Sequence, residues 1–153
     1  MNKLLLTFFP GAALCLAADP FVGAWKPNAA KMKMSPGGTP GREGISLTFE
    51  VQGKNQYHCT RTAPDGKASG AIVWIVDGKE HKMEGSDLAY TAKRIDDRHI
   101  RSEVNSPKGS HVEDWVVSAD GKTLTETRKG TGGNTGRVLD EVYVYDKQPA
   151  GAK

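Results

Sequence analysis

From Ile45 to Gln52 the side chains alternate: Ile45, Leu47, Phe49 and Val51 occupy one parity, and Ser46, Thr48, Glu50 and Gln52 the other. A period of two is the pattern of a β-strand with one dry and one wet face. The run Ile72-Val73-Trp74-Ile75-Val76 is apolar on both parities, which predicts a strand covered on both faces or one that covers a barrel end. Asp-Gly pairs at 65–66, 77–78 and 120–121 separate such runs, and Asp-Gly is the favoured pair for a two-residue hairpin turn. Further breaks fall at 35–41, at Asp96-Asp97, at 106–109 and at 130–134. Strands are predicted between them near 21–26, 44–52, 55–62, 69–77, 79–84, 88–95, 98–104, 110–118, 122–129 and 137–146.

Helical periodicity is missing from all but one short stretch of this region. Asn28 to Met34 is the single candidate, and Pro36 ends it in any conformation. Successive strands joined by short turns, without helical crossovers, predict an all-β fold: an antiparallel up-and-down meander of about 8–10 strands closing into a barrel. Pairing the first strand with the last removes the unpaired edges. A two-sheet sandwich, the other all-β solution, would show longer connections between its sheets.

The first 18 residues read as a leader rather than as part of that fold. Lys3 supplies a positive start, Leu4 to Phe9 an apolar stretch, and Ala12 to Ala18 the small residues that signal peptidase prefers. Pro10 and Gly11 interrupt the apolar run, which falls short of the ~20 residues a spanning helix needs. Leu14, just before Cys15, does not suit lipidation at that cysteine. The expectation is cleavage near Ala17 or Ala18, a periplasmic or secreted product, no transmembrane segment afterwards, and a single domain over 19–153. Cys59 is then the only cysteine, so no internal disulfide forms, and its expected place is a buried strand position.

Charge narrows the partners. The formal net charge is +3, and the basic residues are scattered among acids rather than gathered into a stripe, so no nucleic-acid face is expected. His58, His81, His99 and His111 show none of the spacings that place two ligands around one metal, and no phosphate loop, nucleophile elbow or dinucleotide fingerprint occurs. No metal site, cofactor or catalytic residue is therefore assigned, although catalysis assembled from distant strands stays open.

Two faces carry the candidate chemistry. If the turn at 106–109 sets residue 101 opposite 113, Arg101 meets Glu113 and Glu103 meets His111, while the Asp120-Gly121 turn sets Glu113 beside Arg128. These charges form either an outward solvated ladder or the lining of a wet cavity. Trp115, Val117 and Leu124 on the same parity keep the second version in play. On the last strand, either Glu141, Tyr143 and Tyr145 point inward, or Val142 and Val144 do.

Phe21-Val22-Gly23-Ala24-Trp25-Lys26 resembles the Gly-x-Trp opening of lipocalins and the Phe-x-Gly-x-Trp opening of intracellular fatty-acid-binding proteins. Residues 118–124 and Val144-Tyr145-Asp146-Lys147 resemble the closing hairpins of the latter, and the whole resembles the small exported lipocalin-like, calycin-type domains of bacteria. The resemblance implies that Gly23 permits a close backbone approach and that Trp25 plugs the closed end of the barrel, with Arg128 or Arg137 laid across its indole. It also implies a carboxylate-binding Arg-x-Tyr on the final strand. Tyr145 fits the tyrosine place, but Tyr143 stands in the arginine place with Glu141 two residues before it, a face suited to a neutral or weakly cationic amphiphile. The candidate ligand-binding residues are thus Trp25, Tyr143, Tyr145, Glu141 and Arg128. The expected function is an exported lipocalin-like protein that binds a small hydrophobic or amphiphilic ligand without catalysis. Its rivals are an envelope or inhibitor barrel with a packed interior, and an enzyme with a polar one. A cavity of ~300 Å³ or more lined by Trp25 and Tyr143 is what the first reading requires.

Overall fold

The computed structural model describes residues 18–36, 41–132 and 136–151. Ten strands run in chain order: β1 Gly23–Pro27, β2 Ser46–Gly53, β3 Gln56–Thr62, β4 Ala68–Ile75, β5 Glu80–Lys82, β6 Ala89–Asp96, β7 His99–Ser106, β8 Gly109–Val117, β9 Thr123–Gly132 and β10 Arg137–Lys147. Each strand expected from the alternation pattern is present, with bounds shifted by at most three residues. The helical candidate after β1 is a single 3-10 turn, Ala29–Lys31, and a second turn, Arg42–Gly44, precedes β2. The leader, residues 1–17, lies outside the described residues.

All ten strands form one antiparallel sheet in the order β4-β3-β2-β1-β10-β9-β8-β7-β6-β5. The first strand pairs with the last as expected, with Trp25 opposite Lys147 and Pro27 opposite Tyr145. The barrel is nearly closed, because no backbone ladder joins β4 to β5. One side chain bridges part of that seam. Tyr90 on β6 accepts a hydrogen bond from the Ile75 N–H at 3.1 Å and donates to the Val73 carbonyl at 3.2 Å, serving two groups on the free edge of β4. Beside it the Gly78 N–H donates to the Ala92 carbonyl at 2.8 Å.

Two apolar residues leave the places their pattern gave them. Val51 is 53% exposed, since the register shift between Val51 and Gly53 carries the end of β2 beyond the core. Val73 is 42% exposed because β4 turns its outer face to solvent; only its inward partner Trp74 and neighbouring Val76 are fully buried.

The closed end is built on Phe21 and Trp25, both wholly buried. The Trp25 indole N–H donates to the Phe21 carbonyl at 2.9 Å. The cation over its ring is neither Arg128 nor Arg137 but Lys147, 4.8 Å from the ring centroid and anchored to the Pro20 carbonyl at 2.9 Å. The β1–β10 pairing explains the difference: it sets Lys147 directly opposite Trp25, whereas Arg128 faces Glu141 further up the barrel. Gly23 is required here by its φ of 124° and by space, as a Cβ would sit 3.3 Å from Lys147 Cε.

Candidate functional site

Side-chain parity assembles a charged cluster inside the barrel. On β8, His111, Glu113, Trp115 and Val117 point inward; β9 adds Leu124, Glu126 and Arg128; β10 adds Leu139, Glu141, Tyr143 and Tyr145. Glu113 pairs with Arg128 across β8 and β9 as the Asp120-Gly121 turn requires. The expected pairs Arg101–Glu113 and Glu103–His111 do not form. Ser106 faces Gly109, which makes a two-residue turn and sets Ser102 opposite Glu113, Arg101 opposite Asp114 and Glu103 opposite Val112. A slip of one residue exchanges the faces of a strand. Arg101 is thus outside, donating to Asp114 at 2.8 Å, and Glu113 is inside.

Two arginines hold the cluster together. Arg128 donates through Nε to Glu113 Oε1 at 2.9 Å and through Nη1 to Glu141 Oε2 at 3.4 Å, and its Nη2 lies 3.0 Å from His111 Nε2. His111 Nε2 is also 3.1 Å from Glu113 Oε1, so it either accepts from the arginine or donates to the carboxylate. Tyr143 donates to Glu141 Oε2 at 2.8 Å. Arg42, from the turn ahead of β2, reaches in to contact both oxygens of Glu126 at 2.5 Å, with its guanidinium 4.4 Å from the centroid of the Tyr143 ring.

Burial acts to raise the Glu113 carboxyl, but His111, Arg128 and Arg42 together hold it well below the usual carboxylate range. Glu126 goes the other way, raised by complete burial and by the charge of Glu113 against the pull of Arg42. Burial likewise pushes the Tyr143 hydroxyl up to about 12. Three buried polar atoms, His111 Nδ1, Glu141 Oε1 and Tyr145 Oη, have no hydrogen-bond partner among the described residues. Of these residues, His111 lines the main cavity and Tyr145 the second, whereas Glu141 lines neither.

A cavity of about 310 Å³ adjoins this cluster. Ile72 and Trp74 from β4 line one side of the seam, Met83, Leu88 and Tyr90 the other, and Arg42, Glu113, Arg128 and His111 supply the polar wall. Trp74 belongs to an aromatic group with Phe49 and Trp115, the two indoles packed edge to face at 4.8 Å between centroids. A second cavity of about 390 Å³ lies between the turn at Arg42 and the β3–β4 hairpin, lined by Ile45, Pro64, Ser69 and Tyr145. Arg42 and Arg61 line both.

The cavity expected along Trp25 and Tyr143 is not found: the five residues singled out in the sequence are all inward, but only Arg128 lines the main cavity, and neither Trp25 nor Tyr143 lines either one. Glu141 and Tyr143 stand behind the main cavity, bonded to Arg128 and to each other. Tyr145 lines the second cavity, and Trp25 lies in the closed end. Arg42, Arg61, Glu126 and His111 join the set. Glu126 and His111 share the parity of Arg128 and Glu113, a signal already present in the sequence. Arg42 carried none, because its partner Glu126 is 84 residues away. Cys59 is buried, as expected of a strand cysteine, and burial pushes its thiol up to about 12.

Neither a protein-family model nor a curated protein matches the sequence. Solved structures do match. Fatty-acid-binding protein 1 of Echinococcus granulosus superposes with a TM-score of 0.59 at 14% identity, covering 85% of this chain and 98% of that one. The fold is calycin-type. An SAHS (abundant heat soluble) protein of Ramazzottius varieornatus gives 0.58 at 16% identity, covering 85% and 96% of the two chains. Zebrafish ileal bile acid-binding protein, in complex with cholic acid, gives 0.56 at 16% identity, with 85% and 99% covered. At 14–16% identity the likeness is one of fold.

Among its described residues, no group of three or more His, Cys, Asp or Glu is placed to hold a metal ion.

Proposed function

We propose that this protein is an exported carrier that holds a small amphiphilic molecule in the barrel interior and releases it unchanged. The observation that carries this reading is the cavity of about 310 Å³, apolar along Ile72, Trp74, Met83 and Leu88 and charged along Arg42, Glu113 and Arg128. A site with both characters suits a molecule with both. Structural neighbours named for fatty-acid and bile-acid binding support the reading, and the leader supports export. The site residues proposed are Trp74, Leu88, Arg42 and Arg128 at the cavity wall, with Glu141, Tyr143 and Tyr145 in support; Trp25 serves as the plug.

Tryptophan fluorescence tests it, because Trp74 forms part of the wall. Titration with medium-chain amphiphiles is expected to change the emission saturably, with a micromolar Kd, and Trp74→Phe is expected to remove most of the change. Unchanged emission with every amphiphile, together with no bound ligand by equilibrium dialysis, would sink the carrier reading.

A further inference from the structure

The lining of the main cavity includes a buried side chain with one polar atom left unpaired. His111, on β8, is 4% exposed, and its Nδ1 has no hydrogen-bond partner among the described residues. The neighbouring strands fix its place. Val104 on β7, another cavity residue, lies opposite it, and on the other side β9 presents Gly130. A Cβ at Gly130 would sit 2.8 Å from His111 Cα, and the backbone there has a φ of 129°, so only glycine lets β9 approach this closely.

The other ring nitrogen decides what Nδ1 can offer. Nε2 lies 3.0 Å from Arg128 Nη2, which only donates, and 3.1 Å from Glu113 Oε1, an acceptor. Where Nε2 accepts from the arginine, the neutral ring carries its proton on Nδ1, and Nδ1 is a donor. Where Nε2 donates to the carboxylate, Nδ1 is an acceptor in the neutral ring and a donor in the imidazolium. A hydroxyl group serves every one of these forms, because it donates to a bare nitrogen and accepts from an N–H. A carbonyl can only accept and an ammonium can only donate. A buried nitrogen without a partner has lost the hydrogen bond it made in water, and a ligand hydroxyl restores it.

We infer that His111 is the specificity-determining residue of the main cavity and that it selects an uncharged amphiphile with a hydroxyl head, held at Nδ1 while the apolar tail lies along Ile72, Trp74, Met83 and Leu88. This rests on the carrier reading and narrows it to one class of head group. It keeps the neutral half of the preference that Glu141, Tyr143 and Tyr145 suggest in sequence and excludes the cationic half. Arg42 and Arg128, beside His111 in the polar wall, are bonded to Glu126, Glu113 and Glu141. A cationic head would lie against the two guanidiniums. An anionic head would compete with the carboxylates those arginines already hold.

The test compares three probes with the same medium-length alkyl chain, ending in a hydroxyl, a chlorine or a carboxylate, each titrated into wild type, His111→Asn and His111→Gln and read by tryptophan emission. The asparagine amide reaches the place of Nδ1, and the longer glutamine amide reaches the place of Nε2. The quantity read is the ratio of hydroxyl to chloride affinity within one protein, which does not depend on the fraction folded. One neutral hydrogen bond amounts to roughly fivefold to tenfold in affinity, so His111→Gln is expected to lower the ratio by about that factor and His111→Asn to keep most of it. Wild type is expected to bind the carboxylate more weakly than the hydroxyl. In nitrogen-15 spectra of the wild-type histidines, the hydroxyl probe is expected to move the His111 Nδ1 resonance and the chloride to leave it in place. An unchanged ratio in His111→Gln, a carboxylate bound tighter than the hydroxyl, or an unmoved Nδ1 resonance overturns this inference and leaves the carrier reading standing. Binding of none of the probes overturns both.

Discussion

Arg128→Met is expected to destabilise the protein by about 3–5 kcal/mol in urea unfolding at pH 7, the range measured when one partner of a buried ion pair is removed. Arg128 donates to Glu113 and Glu141 and also lies 3.8 Å from Glu126, and all three carboxylates are buried. Methionine occupies a similar volume, so the loss is electrostatic rather than one of packing. The variant leaves three buried carboxylates inside the barrel, with Arg42 as the one arginine still bonded to any of them, through Glu126. Glu113→Gln added to Arg128→Met is expected to recover part of the loss, since the two residues are directly bonded and their effects do not add. Acid should narrow the gap between wild type and variant. The Glu113 carboxyl is held low in the folded protein, so its contribution is complete above the ordinary carboxylate range and is lost as pH falls through the folded value. In Arg128→Met the share of that contribution owed to Arg128 is gone, while those of His111 and Arg42 remain. A gap that stays constant from pH 7 to pH 3 would show that Arg128 acts through packing instead.

Trp25→Ala is expected to cost about 3–5 kcal/mol, the range for deleting a buried tryptophan from a core. Trp25 is wholly buried, bonded to the Phe21 carbonyl and covered by Lys147, so truncation opens a void at the closed end and strands that carbonyl. Lys147→Met, which removes the cation from the indole face and the hydrogen bond to the Pro20 carbonyl, is expected to cost about 1–2 kcal/mol. Neither change touches the cavity wall. Amphiphile affinity of the folded fraction is therefore expected to match wild type, measured by fluorescence titration below the unfolding transition. Loss of affinity in Lys147→Met at unchanged stability would return Trp25 to the ligand site.

The fold was legible because strands bury alternate residues. Leu47 and Phe49, then Tyr57 and Cys59, then Ile100 and Val104 each keep to one parity, and Asp-Gly turns separate the runs. The site was legible only in part. At Asp120-Gly121 the turn length was fixed by the residues themselves, and the Glu113–Arg128 pair followed correctly. At 106–109, Ser-Pro-Lys-Gly admits more than one turn centre, and the one-residue difference placed Arg101 with Glu113 instead of Asp114. On β10 both parities carry large side chains: Tyr143 and Tyr145 lie inside, while Val144 is buried on the opposite face, its carbonyl accepting from the Asn28 N–H at 2.8 Å. Alternation cannot choose between two buried faces. Arg42 lay beyond any local rule, since a loop residue is brought to Glu126 only by closure of the barrel.

The central claim, that the interior holds a ligand rather than only its own side chains, is tested most directly by native mass spectrometry of the folded protein titrated with ten-carbon amphiphiles. A single adduct per chain, saturating at one-to-one and displaced by a competing amphiphile, is the predicted result. A spectrum without any adduct at every concentration would contradict the account and leave a packed barrel that works through its surface.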